Sequence, residues 1–252
     1  NDFGNQINKL MISVFSKIDK SIAVGKSDLY EGDYINDVSR EVEEFMKNEE
    51  WCEEIKDILE NNEHSKKLEA CRKVIINAIL TNIKDSLSNL GIVFNNWFSE
   101  SILFEKNLVD KTIAKLRENG KTIKKEGALM FKDDDPRVLI KSNGEYTYFA
   151  SDLAYHDKKM REFDKVINIW GADHHGYVNR VYKGLESLGH DVDKLDIHLI
   201  QFANLYRGKE KVSMSTRKGE FVELDTLLKE IGIDAINYFY LMRSKDQHLD
   251  FD

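Results

Sequence analysis

Short apolar stretches alternate with amphipathic helical segments beyond Gly91, and this alternation restricts the fold more than any other feature of the sequence. Residues 166–170 form an apolar stretch typical of a buried strand. A helical pattern from Val178 to Leu188, stopped by Gly189, and a second apolar stretch at 197–203 follow it. Strand, helix and strand at this spacing predict a parallel sheet with a right-handed crossover, so we expect an α/β fold. Ligands of such sheets bind at the carboxyl ends of the strands.

Further elements are predicted between residues 107 and 163. Helical patterns cover 107–118 and 152–163, and strands are expected at 128–131 and 138–140. The dipeptide Asn143-Gly144 predicts a hairpin turn, with a second strand over 146–149.

The first 92 residues carry helical periodicity instead. Apolar positions recur every three or four residues from Ile7 to Ala23, and they do so again in two longer segments that a turn at Asn61-Asn62 separates. Residues 28–65 hold 14 acidic and 3 basic side chains in a chain of net charge −8, so the rest of the chain is mildly basic. We expect three parts: a helix over 1–27, an acidic helical insertion over 28–92, and the α/β part over 93–252.

Composition excludes several classes of protein. With 41% hydrophobic and 33% charged residues the chain is neither disordered nor fibrous. It has no apolar run near the roughly 18 residues that a membrane span needs and no signal-peptide pattern at its start. The two cysteines, Cys52 and Cys71, exclude a disulfide framework and a cysteine-based zinc site, so we expect a cytoplasmic protein.

The segment Tyr148-Phe149-Ala150-Ser151-Asp152 is the first candidate for a binding site. A carboxylate four residues from an aromatic ring suits a planar cation, which the acid can bind with two hydrogen bonds and the ring can stack against. The alternative is that Ser151 or Asp152 merely caps the following helix.

The second candidate is the loop Gly171-Ala172-Asp173-His174-His175-Gly176, between a strand and a helix. Its glycines would let a nucleotide approach the backbone, Asp173 could accept from ribose hydroxyls, and the helix N-terminus favours anions. Asp173, His174 and His175 also permit a metal site, although adjacent side chains cannot readily all face one ion. No second cluster with ligand spacing accompanies them, since the other five histidines are scattered.

The third candidate is a basic segment, Leu205–Glu220, with five basic and two acidic side chains. Gly208 and Gly219 are flexible points near its two ends. Such a loop can offset phosphate charge in a transition state, and the alternative is a solvated surface loop.

Together these segments resemble the class I aminoacyl-tRNA synthetases, and among them the arginyl-tRNA synthetase family. Val212 to Gly219 is similar to the relaxed form of that family's Lys-Met-Ser-Lys-Ser signature, Tyr148–Asp152 to its arginine-recognition element, and Asn168–Arg180 to its nucleotide loop. Residues 1–7 and 234–252 resemble the flanks of its catalytic domain.

The resemblance implies a Rossmann-like half sheet that supports ATP-dependent activation of arginine and transfer to tRNA(Arg), with Mg2+ accompanying ATP and no resident metal. It implies that Tyr148, Asp152 and His174 bind arginine. It implies an ATP site with these residues: Gly171, Asp173, His175 and Gly176. It implies a catalytic loop with these residues: Lys211, Met214, Ser215, Thr216, Arg217 and Lys218. It leaves the oligomeric state open.

Two departures from the family pattern stand out. Ser213 and Thr216 occupy the places of the signature's two lysines, and no His-x-Gly-His motif is present. We therefore expect an internal part of the catalytic domain that does not form adenylate alone. Two alternatives remain: a metal-dependent phosphoesterase that uses Asp173, His174 and His175, and a non-catalytic RNA- or protein-binding module with a synthetase-like fold.

Overall fold

The computed structural model describes residues 5–19, 29–48, 66–212 and 222–252. The chain divides into two compact units, one of residues 1–97, 205–241 and 252, and the other of residues 98–204 and 242–251. No helix among the described residues is long and apolar enough to cross a membrane.

The first unit is built on three helices: α1 (Asn5–Ile18), α2 (Asp33–Asn48) and α3 (Lys66–Asn89). Their helical periodicity is confirmed, because the apolar positions of each helix lie in one common core. The buried members of that core are Ile7, Met11, Val14, Phe15, Ile35, Val38, Val42, Met46, Cys71, Ile75 and Ala78. The acidic residues of α2 lie on its outer side, mostly exposed. Cys52 and the predicted turn at Asn61-Asn62 lie outside the described residues.

The same unit contains α8 (Leu224–Ile231), α9 (Ile233–Leu241) and a short strand, β7 (Glu210–Lys211). Strand β6 (Ala203–Arg207) pairs antiparallel with β7, with Tyr206 opposite Lys211. The hydroxyl of Ser86 on α3 donates to Asp225 on α8 at 2.9 Å.

The second unit begins with α4 (Ser101–Glu105) and α5 (Leu108–Glu118), followed by an antiparallel sheet of β1 (Thr122–Lys125), β2 (Ala128–Phe131) and β3 (Arg137–Ile140). The predicted turn at Asn143-Gly144 is confirmed, since Gly144 has φ +87° and Ile140 bridges to Tyr146. The predicted strand over 146–149 is wrong beyond Tyr146, because the chain turns into a helix at Tyr148.

That helix, α6 (Tyr148–Glu162), starts four residues earlier than expected. Thr147 is its N-cap: the Thr147 hydroxyl accepts from the Ala150 amide at 3.4 Å and donates to the Val138 carbonyl at 2.6 Å. A threonine at this position satisfies a helix amide that would otherwise lack a partner, so the helix can begin directly after the hairpin.

The parallel pair is formed by β4 (Val166–Gly171) and β5 (Leu195–Ile200), which run in register from Val166 opposite Leu195 to Gly171 opposite Ile200. Helix α7 (His175–Ser187) connects them, and the α/β prediction is therefore confirmed. Strand β8 (Leu249–Phe251) completes this unit, with the Leu249 amide donating to the Phe202 carbonyl at 3.4 Å.

Close packing holds α6 against α7 in this unit. A methyl group added at Gly184 of α7 would lie 2.7 Å from Leu153 Cδ1 of α6, which no real contact reaches, so the two helices approach at a residue without a side chain.

A buried ion cluster ties α6 to the loop after α7. The Asp157 carboxylate lies 2.6 Å from His190 Nε2 and accepts from Arg161 at 3.1 Å. Burial alone would raise the pKa of Asp157, but the hydrogen bonds from His190 and Arg161 outweigh it and hold the pKa below its usual value.

Candidate active site

Tyr148 and Asp152 lie on one face of the first turns of α6, since residues four apart in a helix are neighbours. Tyr148 is 68% exposed, so its ring is available to a ligand. The alternative that Ser151 or Asp152 caps the helix is wrong, because the cap is Thr147. The segment follows the antiparallel hairpin after β3 and not a strand of the parallel pair.

The two oxygens of the Asp152 carboxylate have different surroundings. Its Oδ1 lies 3.4 Å from His156 Nδ1, and the side chain as a whole is 32% exposed. Its Oδ2 is buried and has no hydrogen-bond partner among the described residues. Buried polar atoms are nearly always paired, so an unpaired carboxylate oxygen points to a missing donor. The structure thus contains an anionic acceptor ready for a cationic donor.

An aromatic wall, formed by Trp170, Tyr177 and His156, lies beside this carboxylate. Trp170, at the end of β4, has its ring centroid 5.9 Å from that of Tyr177 on α7 and 5.8 Å from that of His156. Burial raises the pKa of the Tyr177 hydroxyl, and the charge of Asp152 and a side-chain hydrogen bond to Asp152 raise it further. The Tyr177 hydroxyl is therefore protonated at neutral pH and lies within the electrostatic reach of Asp152.

The loop between β4 and α7 was predicted as the nucleotide loop. It forms a single 3-10 turn, Ala172–His174, before α7 begins at His175. Asp173 and His174 are both exposed, and the His174 ring lies 6.2 Å from that of Trp170. His174 is thereby placed beside the aromatic wall, whereas the Asp173 carboxylate lies 3.7 Å from His174 Nε2 and faces solvent.

The two glycines of the loop differ in what surrounds them. A methyl group at Gly171 would meet Asp173 Oδ1 at 2.5 Å, so a side chain there would displace the Asp173 carboxylate. A methyl group at Gly176 would meet nothing within 4 Å. His175, the first residue of α7, is exposed. The chain therefore keeps the backbone open at the N-terminus of α7, where backbone amides can receive an anion.

The predicted catalytic loop is represented here by Lys211 alone, which is exposed at the end of β7. The other five candidates lie outside the described residues: Met214, Ser215, Thr216, Arg217 and Lys218.

Metal binding finds no support in the described part of the chain. No group of three or more histidine, cysteine, aspartate or glutamate side chains there is arranged to hold a metal ion. Asp173 and His174 approach each other, but no third ligand from the residues that the structure describes joins them. The metal-dependent phosphoesterase alternative is not favoured.

His156 and Tyr177 contact Asp152 but were not among the residues predicted for the site. His156 is only 2% exposed, and it joins Asp152 to Asn168 and Lys159 through hydrogen bonds. Its four-residue spacing from Asp152 was a readable signal, because that spacing places both residues on one helix face. Tyr177 carried no such signal, since its proximity to Asp152 depends on the packing of α7 against α6.

The chain is similar to a known family over almost all of its length. The model of the tRNA synthetases class I (R), catalytic domain, matches residues 1–246. Arginine-tRNA ligases from Oceanobacillus iheyensis and Bacillus subtilis are 41% and 39% identical over all of this chain, which covers 45% of each. The chain thus spans about half the length of the curated relatives it matches.

Solved structures give the same result. A chain from Campylobacter jejuni, named as an arginyl tRNA synthetase, superposes with a TM-score of 0.80 at 32% identity over all of this chain and 55% of its own length. The arginyl-tRNA synthetase from Plasmodium falciparum, 15% identical with a TM-score of 0.65, shares the fold. The fold is accordingly a Rossmann-like half sheet of the class I type, which contains the parallel pair β4 and β5, with a mostly helical insertion. The chain belongs to the arginyl-tRNA synthetase family, the class I tRNA synthetases designated R.

Proposed function

We propose that this chain binds arginine and contributes to its ATP-dependent activation and transfer to tRNA(Arg), as part of an arginine-tRNA ligase acting in the cytoplasm. The observation that carries the proposal is the Asp152 carboxylate, whose Oδ2 is buried and unpaired on the described part of the chain. A guanidinium has only donors and a permanent positive charge, so it complements an oxygen that only accepts.

The arginine side chain would lie beside the aromatic wall. In this arrangement Asp152 binds the guanidinium, the exposed Tyr148 stacks its ring against it or accepts from it with its hydroxyl oxygen, and His174 lines the same pocket. A cation held over an aromatic face and against a carboxylate gains from both, and the partial exclusion of water around Asp152 strengthens the charge attraction.

ATP would bind at the loop after β4. Gly171 and Gly176 let the nucleotide approach the backbone, Asp173 accepts from the ribose, and His175 stands at the N-terminus of α7, which favours phosphate. Mg2+ would arrive with ATP as part of the substrate.

Activation needs no protein nucleophile. The carboxylate oxygen of arginine attacks the α-phosphorus of ATP, a new P–O bond forms, and the bond to pyrophosphate breaks. Positioning and charge compensation then supply the rate. Lys211 and the segment from Met214 to Lys218 would offset charge on the phosphates. We further propose residues 28–92 as a helical insertion between 1–27 and the catalytic part, 93–252.

Calorimetric titration tests the proposal. L-arginine, L-lysine and L-citrulline are titrated into the protein and into Asp152→Ala. We expect arginine to bind at least about tenfold more tightly than citrulline, which has the same shape without the charge, because a charge-assisted hydrogen bond is lost. Loss of arginine binding in Asp152→Ala supports the assignment. Equal affinity for arginine and citrulline would reject it, and would favour a non-catalytic module.

A further inference from the structure

A buried polar chain runs behind the Asp152 carboxylate. Lys159 Nζ donates to Asn168 Oδ1 at 2.7 Å, Asn168 Nδ2 lies 2.8 Å from His156 Nε2, and His156 Nδ1 lies 2.8 Å from the Asp152 main-chain carbonyl oxygen. His156 and Asn168 are 2% and 6% exposed. None of these three side chains belongs to the predicted site, and two elements, α6 and β4, supply them.

The Lys159 ammonium fixes the direction of every hydrogen bond in this polar network. A lysine ammonium can only donate, so the Asn168 oxygen accepts from Lys159 and the Asn168 amide nitrogen must face His156. That nitrogen donates to Nε2, which leaves the imidazole proton on Nδ1. The network, rather than any observed hydrogen, makes this assignment. Nδ1 then donates to the Asp152 carbonyl oxygen, with Asp152 Oδ1 3.4 Å away.

The opposite tautomer would be repulsive. A lone pair on Nδ1 would face the carbonyl oxygen and the carboxylate of Asp152, with no proton between them. Lys159 therefore acts on Asp152 at a distance, because it sets the amide, the amide sets the imidazole, and the imidazole proton faces Asp152.

We propose that His156, oriented by Asn168 and Lys159, is a positioning residue that fixes the Asp152 carboxylate and thereby sets selectivity for a guanidinium over an ammonium. Oδ1 faces the Nδ1 proton, so Oδ2 is the oxygen left for the substrate. A guanidinium donates along fixed directions in one plane, and its affinity depends on the orientation of the carboxylate, whereas an ammonium is a compact, rotatable charge. The inference rests on the proposed function, since it assumes that Asp152 receives the arginine side chain.

Two substitutions of His156, each of which replaces one nitrogen of the imidazole by a side-chain amide, distinguish this positioning role from a role in packing. His156→Asn can place its amide nitrogen where Nδ1 lies, toward Asp152. His156→Gln can place its amide where Nε2 lies, toward Asn168, and leaves no polar group of residue 156 facing Asp152. Both variants lose the ring, and both keep an uncharged polar side chain, so each is the control for the other.

The experiment measures L-arginine and L-lysine affinity by calorimetry in the full-length protein and both variants. We expect His156→Gln to lose about tenfold in arginine affinity, the effect of one charged hydrogen bond, with lysine affinity changed less than about threefold. His156→Asn should keep the ratio of arginine to lysine affinity of the wild type.

Other results of this experiment would contradict either the positioning role of His156 alone or the proposed function as well. Equal losses of arginine affinity in the two variants, or equal losses for arginine and lysine, would overturn the positioning role while leaving the proposed function intact. Absence of arginine binding by the wild type would remove both. If a variant does not fold, as judged by circular dichroism, long-range 1H–15N spectra of the wild type decide instead. A proton on Nδ1 of His156 supports the inference, and a proton on Nε2 alone overturns it.

Discussion

Replacing Asp152 by asparagine should change stability and arginine binding in opposite directions. The substitution keeps the shape of the side chain and one side-chain oxygen facing His156, but it removes the charge and the unpaired Oδ2. Because stability and arginine affinity are expected to change in opposite directions, this variant is a stricter test of the site than removal of the whole side chain.

The effect on the free protein follows from the buried oxygen. A buried charged acceptor without a donor costs about 1–3 kcal/mol. Because the Asp152 side chain is 32% exposed, water screens part of this cost, and we take about 1 kcal/mol, the lower end of that range. An uncharged amide in the same place costs less to bury. The ligand-free variant should therefore melt about 2–4 °C above the wild type, as expected for about 1 kcal/mol in a chain of this size.

The effect on the complex is larger. Loss of the charge-assisted hydrogen bonds to a guanidinium removes about 2–3 kcal/mol. That corresponds to an arginine affinity about 30- to 150-fold weaker, at 1.4 kcal/mol per factor of ten.

Differential scanning fluorimetry with and without L-arginine, together with calorimetry, measures both effects. The control is Asp164→Asn, which makes the same chemical change at an exposed carboxylate in the loop before β4 and should leave both quantities unchanged. An Asp152→Asn protein that binds arginine within about threefold of the wild type would refute the reasoning, because the vacant oxygen would then have no part in recognition.

Three further substitutions test the surrounding structure. Gly184→Ala should lower the free energy of unfolding, measured in urea, by about 1–3 kcal/mol, because the added methyl group would overlap Leu153. An unchanged urea midpoint would contradict this packing. Gly176→Ala meets open space, so it should keep the wild-type urea midpoint yet weaken ATP binding measured by calorimetry; unchanged ATP affinity would remove Gly176 from the proposed nucleotide site. Asp157→Asn should destabilise the protein by about 2 kcal/mol at pH 7. The lowered pKa of Asp157 contributes stability above its unfolded value of about 3.9, which is lost as the pH falls through the folded value. The difference between Asp157→Asn and wild type in urea unfolding should therefore shrink in acid, and a difference independent of pH would argue against the stabilisation of the Asp157 carboxylate by His190 and Arg161.

Local patterns in the sequence predicted most of the fold. Helical spacing of apolar residues gave the core of α1, α2 and α3, and the strand–helix–strand order gave the parallel pair. The start of α6 was misplaced because two local signals compete after Gly144. The hairpin turn favours a returning strand, whereas Thr147 favours a helix start, and only Tyr146 pairs before the cap prevails.

The candidate site was only partly readable. Tyr148 and Asp152 could be chosen because their spacing puts complementary chemistry on one helix face. The roles of His156 and Tyr177 depend on contacts between α6, β4 and α7, which no local pattern encodes. A single histidine in a helix means little until Asn168 is known to face it from a neighbouring strand.

The position of Lys159 explains how a vacant carboxylate oxygen can persist in this fold. Lys159 lies close enough for the charge of Asp152 to oppose the lowering of its pKa by burial. Yet its ammonium donates to Asn168 and lies 4.5 Å from the centre of the Tyr155 ring, rather than pairing with the carboxylate. A direct ion pair would satisfy Oδ2 and leave a guanidinium to compete with a tethered lysine. A cation held one amide and one imidazole away offsets part of the cost of the buried charge while the oxygen stays open. The chain thus separates the stabilisation of the carboxylate from its occupation, which is what a site for an exchangeable cation requires.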